Sequence, residues 1–172
     1  MILFVSGSLK LKGSDEKVCF VKRKSNFKMT RKEIFIKALH LAKIPIIVSL
    51  FVTPIRFLLE LAGLPENIIF IIGLLWLTLA FAVYWGIKLF ENQRPFLLLL
   101  LSLIIFSPIS RLTVVIAWLI DTRWQIGTHY VLIHDSLAQA TFQQIVFGSL
   151  IQIIPGFLLG SLTIIIMKYR KT

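Results

Sequence analysis

Acidic side chains and cysteine are what this sequence has least of. Eight Asp and Glu stand against 19 Lys and Arg, and Cys19 is the single cysteine among 172 residues. One thiol excludes an intrachain disulfide and a cysteine-rich metal site, so Cys19 reads as a free thiol in a basic stretch. Charge of either sign is scarce: 16% of residues, against about 25% in soluble domains. Signature motifs are missing too. There is no Walker loop, dinucleotide fingerprint, H-E-x-x-H zinc pattern or G-x-S-x-G elbow, so no cofactor and no metal is expected.

What is present is apolar. Hydrophobic residues make up 57% of the chain and the mean hydropathy is +0.86. Four long apolar stretches are separated by loops of very unequal charge. The pattern predicts an all-α integral membrane protein, a four-transmembrane-helix bundle with an N-terminal amphipathic helix leading into it. The spans are expected at about 44–64, 67–87, 95–120 and 145–167, forming with the lead-in one domain over 30–172. Pro54, Pro108 and Pro155 predict kinks in the first, third and fourth spans. The second is the cleanest, with 21 uncharged residues between Glu66 and Lys88. Tyr84, Trp85 and Lys88 at its end, and Trp118 and Trp124 at the end of the third, read as interfacial anchors.

Residues 1–29 differ from the rest. A short apolar opening is broken by Ser6-Gly7-Ser8 and Gly13-Ser14 and followed by Lys22-Arg23-Lys24. A secretory signal has its charge before its apolar core, not after it. The segment therefore reads as a basic, poorly ordered cytoplasmic tail, and Met29, opening MTRKEIF, has the look of an ordinary start. Thr30-Arg31-Lys32-Glu33 matches a capping box, as does Ser136 followed three residues later by Gln139. Between them, Lys37, His40 and Lys43 share a face opposite Phe35, Leu39 and Ala42, which suits a helix lying at lipid headgroups.

The net charge of +11 is concentrated, not spread. Eleven Lys/Arg lie in 1–43, two in 88–94 and three in 168–172, whereas the outer loop 121–144 holds only Arg123. That asymmetry predicts both termini in the cytoplasm of a cell (inner) membrane. It points to the lipid bilayer as the partner of the basic residues, not to nucleic acid, for which no recognition motif accompanies them. A homo-oligomer or a larger membrane complex is the further partner expected.

Eight residues form the candidate functional cluster: Arg56, Glu60, Arg111, Asp121, Arg123, His129, His134 and Asp135. All are expected toward the outer leaflet. Arg56 and Glu60 are four apart on one helix face and read as a mutual pair or as groups pointing into the bundle. Arg111 is harder to place, because an intramembrane arginine costs about 2.5–3.5 kcal/mol on insertion scales. It should face the bundle, as a structural partner or as a binding group. His129 and His134 are ligand types at poor spacing, five apart and so on different faces of a helix. A fourth-span stripe, Gln144, Gly148, Gln152, Gly156 and Gly160, recurs every four residues and predicts close helix packing, within the chain or between copies. The expected function is transport-related or that of an accessory subunit with an outward-facing polar site. The alternative is a membrane-embedded enzyme using the outer-loop His and Asp residues as acid/base groups.

Overall fold

The computed structural model describes residues 30–65, 73–128 and 136–171. Among them there is no strand. Helix α1 spans Arg31–Leu61, α2 Leu74–Leu89 and α3 Pro95–Trp124. The last helix, α4, runs from Leu137 to Lys171 and contains a π-helical stretch, Gln143–Gly148. Three of these, α1, α3 and α4, are long and apolar enough to cross a membrane, which makes this a helical membrane-embedded protein. The described part of α2 has 16 residues, about 24 Å of helix, slightly less than a ~30 Å hydrocarbon core.

Both capping residues read from sequence act at helix starts, and at Thr30 the reciprocal box is present. Thr30 Oγ1 accepts from the Glu33 amide while Glu33 accepts from the Thr30 amide. Ser136 Oγ accepts from the Gln139 amide. The amphipathic lead-in helix, by contrast, is not a separate element. α1 passes unbroken from Arg31 through Pro45 and Pro54. Its buried line is Ile34, Ala38, Leu41, Ala42, Pro45, Ser49 and Thr53, so one face continues from the lead-in into the span. Phe35 and Leu39 point outward, and half-buried Lys37 donates to Asn92 Oδ1 at 2.6 Å.

Cross-helix contacts set the directions. Ser102 Oγ reaches the Ala38 carbonyl and Thr53 meets Thr113, so α1 and α3 run parallel. Gly156 lies against Leu103 and Gly160 against Leu99, so α4 opposes α3. Gly156 also faces Thr78, and Gly160 faces Ala82, so α2 and α4 run parallel. The helices thus alternate up and down, as short connections favour; Pro95, at the first helical position, starts α3 after a five-residue connection from α2. The start of α1, the α2–α3 turn and the end of α4 therefore share one end of the bundle. Lys37–Asn92 and Lys171–Glu91 tie that end together. It also collects Arg31, Lys32, Lys88, Arg94, Lys168 and Arg170.

The core is layered. An apolar cluster at the basic end joins Ile34, Leu41, Trp85, Leu89, Leu99, Phe106 and their neighbours. A second at the far end joins Leu74, Val114, Ala117, Trp118 and Ala140. Trp85 and Trp118 are 1% and 6% exposed, so they are core residues and not the interfacial anchors expected of them. Trp124, 69% exposed, and Tyr84, with Lys88 over its ring, keep surface positions.

The small-residue stripe packs inside the chain. A Cβ on Gly160 would lie 2.7 Å from Leu99 Cδ2 and 3.0 Å from the Ala82 carbonyl oxygen. One on Gly86 would lie 2.7 Å from Thr163 Cβ and 2.9 Å from the Gly160 carbonyl oxygen. Backbone cannot yield as a side-chain tip can, so α2 and α4 must separate if either glycine gains a methyl. Gly86→Ala and Gly160→Ala should each destabilise the purified protein by about 1–3 kcal/mol, the usual range for overpacking. Leu162→Ala, on the exposed face, should change stability much less. Reversible unfolding in mixed micelles checks the difference, and equal losses at all three sites would contradict the packing.

Candidate functional site

Between the two apolar clusters lies a polar layer. From α1 it takes Ser49 and Thr53, from α2 Thr78, from α3 Ser107, Ser110 and Thr113, and from α4 Ser149 and Gln152, all of them buried. Backbone geometry gathers prolines there too: Pro54, Pro108 and Pro155 each fall within three residues of a member of the layer. A helical proline removes its own N–H and leaves the carbonyl four residues back without its helical donor. Polar side chains and freed carbonyls thus concentrate at one level.

Most hydroxyls satisfy themselves locally. Ser49, Thr78, Ser110 and Thr113 each donate to a carbonyl three or four residues earlier, at 2.6–2.8 Å. Because the Thr113 proton goes to the Ser110 carbonyl, Thr53 is the donor in the 2.7 Å Thr53–Thr113 contact that links α1 to α3. Ser110 Oγ also stands 3.3 Å from Gln152 Oε1, linking α3 to α4. Three groups in the layer are buried without a hydrogen-bond partner: the Ser107 hydroxyl, the Ser149 hydroxyl and the Gln152 side-chain amide nitrogen.

Arg111 enters this layer from α3. It sits 16 residues after Pro95 and 13 before Trp124, near the middle of the helix. Its half-buried side chain lies across Gly148, where an added Cβ would be 3.1–3.2 Å from its Cδ, Nε and Cζ atoms. Nη1 donates to Gln144 Oε1 at 3.3 Å. Both Gln144 and Gly148 belong to the π-helical stretch of α4, and widened turns of this kind are frequent at functional sites. The glycine gives the guanidinium room and the glutamine gives it an acceptor.

Arg56 and Glu60 are half-buried on the last turns of α1, and Arg56 Nε is buried without a hydrogen-bond partner. Asp121 is fully buried, but its carboxylate holds the chain after α3. It accepts from the Gly127 amide at 2.8 Å, from the Thr128 amide at 3.0 Å and from the Thr128 hydroxyl. With Gln125 and Gly127 at positive φ, this is a helix C-terminal lock. Arg123 is exposed. His129, His134 and Asp135 lie outside the described residues. The structure thus brings Arg111 to Gln144 and Gly148 of α4, and gives Asp121 a structural task.

Sequence reasoning missed the hydroxyl layer. Ser107, Ser110 and Thr113 at three-residue spacing were a visible signal, overshadowed by the charged residues. The π-helical stretch left no signal of its own. Comparison with known protein families, curated proteins and solved structures finds no match.

Replacing Asp121 by Ala strands the buried Thr128 amide and hydroxyl and removes the bond to the exposed Gly127. The expected result is a stability loss of about 1–3 kcal/mol, the cost of unpaired buried groups. Hydrogen exchange should speed up at the Gly127 and Thr128 amides while the helix interiors stay protected. Unchanged exchange there would contradict the lock.

Proposed function

We propose that this chain is a small four-span membrane protein that handles a small or anionic ligand at an outward-facing polar site, in transport or as an accessory subunit of a transport complex. The observation that carries the reading is the seating of Arg111 within the bundle, against a glycine and a glutamine of a π-helical stretch. A charge near the middle of a membrane helix is costly, and such residues usually line a ligand or ion path. Binding near the middle of the bundle, beside interrupted helices, is a recurrent design of small-molecule carriers. Bends at Pro54, Pro108 and Pro155 would let the first, third and fourth spans open and close around that level.

In this reading α2 crosses as the second span, its described helix extended by residues before Leu74. Both termini face the cytoplasm of a cell (inner) membrane, because the basic end of the bundle gathers Lys and Arg from three separate segments of the chain. The polar layer is then approached from the opposite end, past Arg56 and Glu60.

Two measurements test this. Gln125→Cys and Thr172→Cys, made singly in a Cys19→Ser background, should differ toward an impermeant maleimide on intact cells. The loop site should label and the C-terminal site should not; the reverse would overturn the topology. Purified protein in liposomes should release a trapped small anion such as chloride faster than Arg111→Gln protein, by about tenfold, the factor corresponding to ~1.4 kcal/mol of lost interaction. Equal release from both proteins would contradict transport through the Arg111 site. A fixed partner co-purifying with such an inactive protein would favour the accessory role.

A further inference from the structure

Around most of the bundle, the outward surface between the two ends is apolar. Trp76 on α2, Ile104 and Ile109 on α3, and Ile154 and Leu158 on α4 are exposed there, and no charged residue of these helices is. Helix α1 departs from this pattern. His40 and Lys43 are both exposed, on the stripe that also turns Ile36, Ile47 and Leu50 outward. Among the described residues neither makes a hydrogen bond or an ion pair.

Register gives the depth of this pair. Ala38 meets Ser102 and Thr53 meets Thr113, so Lys43 falls level with Phe106 of α3. At ~1.5 Å per residue, Phe106 is about 16 Å along α3 from Pro95. Gly86 meets Thr163 and Gly160 meets Leu99, which puts Lys88 and Lys168 at or beyond the level where α3 starts. That ring of lysines marks the headgroups. Lys43 therefore leaves its helix near the middle of a ~30 Å hydrocarbon core. An extended lysine side chain covers about 6 Å, too little to carry the ammonium back to the ring.

We propose that the His40–Lys43 face of α1 docks a transmembrane helix of a partner protein, one that carries a carboxylate near the bilayer middle. An ammonium at this depth is costly against acyl chains and favourable against an opposite charge. A carboxylate is its complement, and the His40 ring, one turn earlier on the same stripe, adds a hydrogen-bonding group beside it. A second copy of the chain is a poor match. Copies in one membrane share an orientation, and among the described residues no carboxylate is exposed at the level of Lys43. Glu33 closes the α1 cap, Glu91 pairs with Lys171, Asp121 is buried against Gly127 and Thr128, and Glu60 stands at the far end of α1. The inference rests on the accessory-subunit branch of the function proposed above and names the face that would join the complex and the chemistry of its partner.

The test uses a synthetic helix as the partner. A transmembrane peptide of leucine and alanine, about 20 residues long, carries one Glu at its centre, a depth that is the same in either orientation. A second peptide has Gln there. Full-length Cys19→Ser, Thr172→Cys protein bearing a fluorescent donor is reconstituted in phosphatidylcholine vesicles with acceptor-labelled peptide. Energy transfer should report association about tenfold tighter for the Glu peptide than for the Gln peptide, and Lys43→Leu and Lys43→Gln should each abolish the difference. Equal association of both peptides, or a preference for Glu that survives both substitutions, would overturn the docking face. So would transfer between donor- and acceptor-labelled copies of the protein that depends on Lys43, because the face would then belong to a homodimer. The assay needs no ion gradient, so it is independent of the anion-release measurement. Protein that prefers the Glu peptide but releases no chloride would keep this face and overturn transport through the Arg111 site.

Discussion

The polar layer between two apolar clusters is the constraint from which the rest of the bundle follows. Backbone groups in a membrane must be satisfied within the helices, and polar side chains must find one another or their own carbonyls. Here they do so at one level, through Thr53–Thr113 between α1 and α3 and Ser110–Gln152 between α3 and α4. These contacts fix the rotation of each helix. With Thr113 turned toward α1 and Ser110 toward α4, Arg111 is carried to the edge of the α4 contact, where Gly148 makes space for it. Moving one helix by a single residue would turn a hydroxyl into lipid and strand its partner.

Close packing supports the layer from the basic end. Lipid is as apolar as Leu, so helices in a membrane associate through contact and hydrogen bonding, not through a hydrophobic drive. Gly86 and Gly160 bring the α2 and α4 backbones together, and Gly156 admits Leu103 and Thr78. At the opposite end, the buried Asp121 carboxylate gathers two amides and a hydroxyl after α3 and so holds the departing chain close to the bundle. The arrangement is asymmetric: a dense, basic end tied by Lys37–Asn92, and an end where Arg56 and Glu60 remain half-buried.

Much of the fold was legible because membrane insertion writes itself into composition. Long apolar stretches, the capping residues Thr30 and Ser136, and the glycine stripe all led to helices found in the structure. The errors came from reading single residues by type. Tryptophan is common at interfaces, yet Trp85 and Trp118 are buried because tertiary packing decides which face of α2 and α3 points inward. The lysine face of the lead-in suggested a helix at headgroups, but the line from Ile34 to Thr53 carries one continuous buried face, and nothing local marks a boundary. Among the candidate site residues, attention to charge singled out Arg111, which the structure places half-buried against Gly148 and Gln144 of α4. It also promoted Asp121, whose role depends on where Gly127 and Thr128 fall in space. Ser107 and Ser149 were not singled out, and Gln152 was read only as a packing residue, because an unmet hydrogen bond is something no sequence pattern displays.

Assembly of the polar layer within a single chain is the claim on which the site depends, and cysteine cross-linking tests it most directly. Thr53 and Thr113 meet through oxygens 2.7 Å apart, so Thr53→Cys with Thr113→Cys in a Cys19→Ser background places two sulfurs within bonding reach. Mild oxidation of membranes should convert the double variant almost completely to an intrachain disulfide, seen as a shift in mobility that reductant reverses. Phe51→Cys with Leu112→Cys, on exposed faces, should not cross-link within the chain. Free thiols in the Thr53/Thr113 variant after oxidation, or disulfides only between separate chains, would contradict the account.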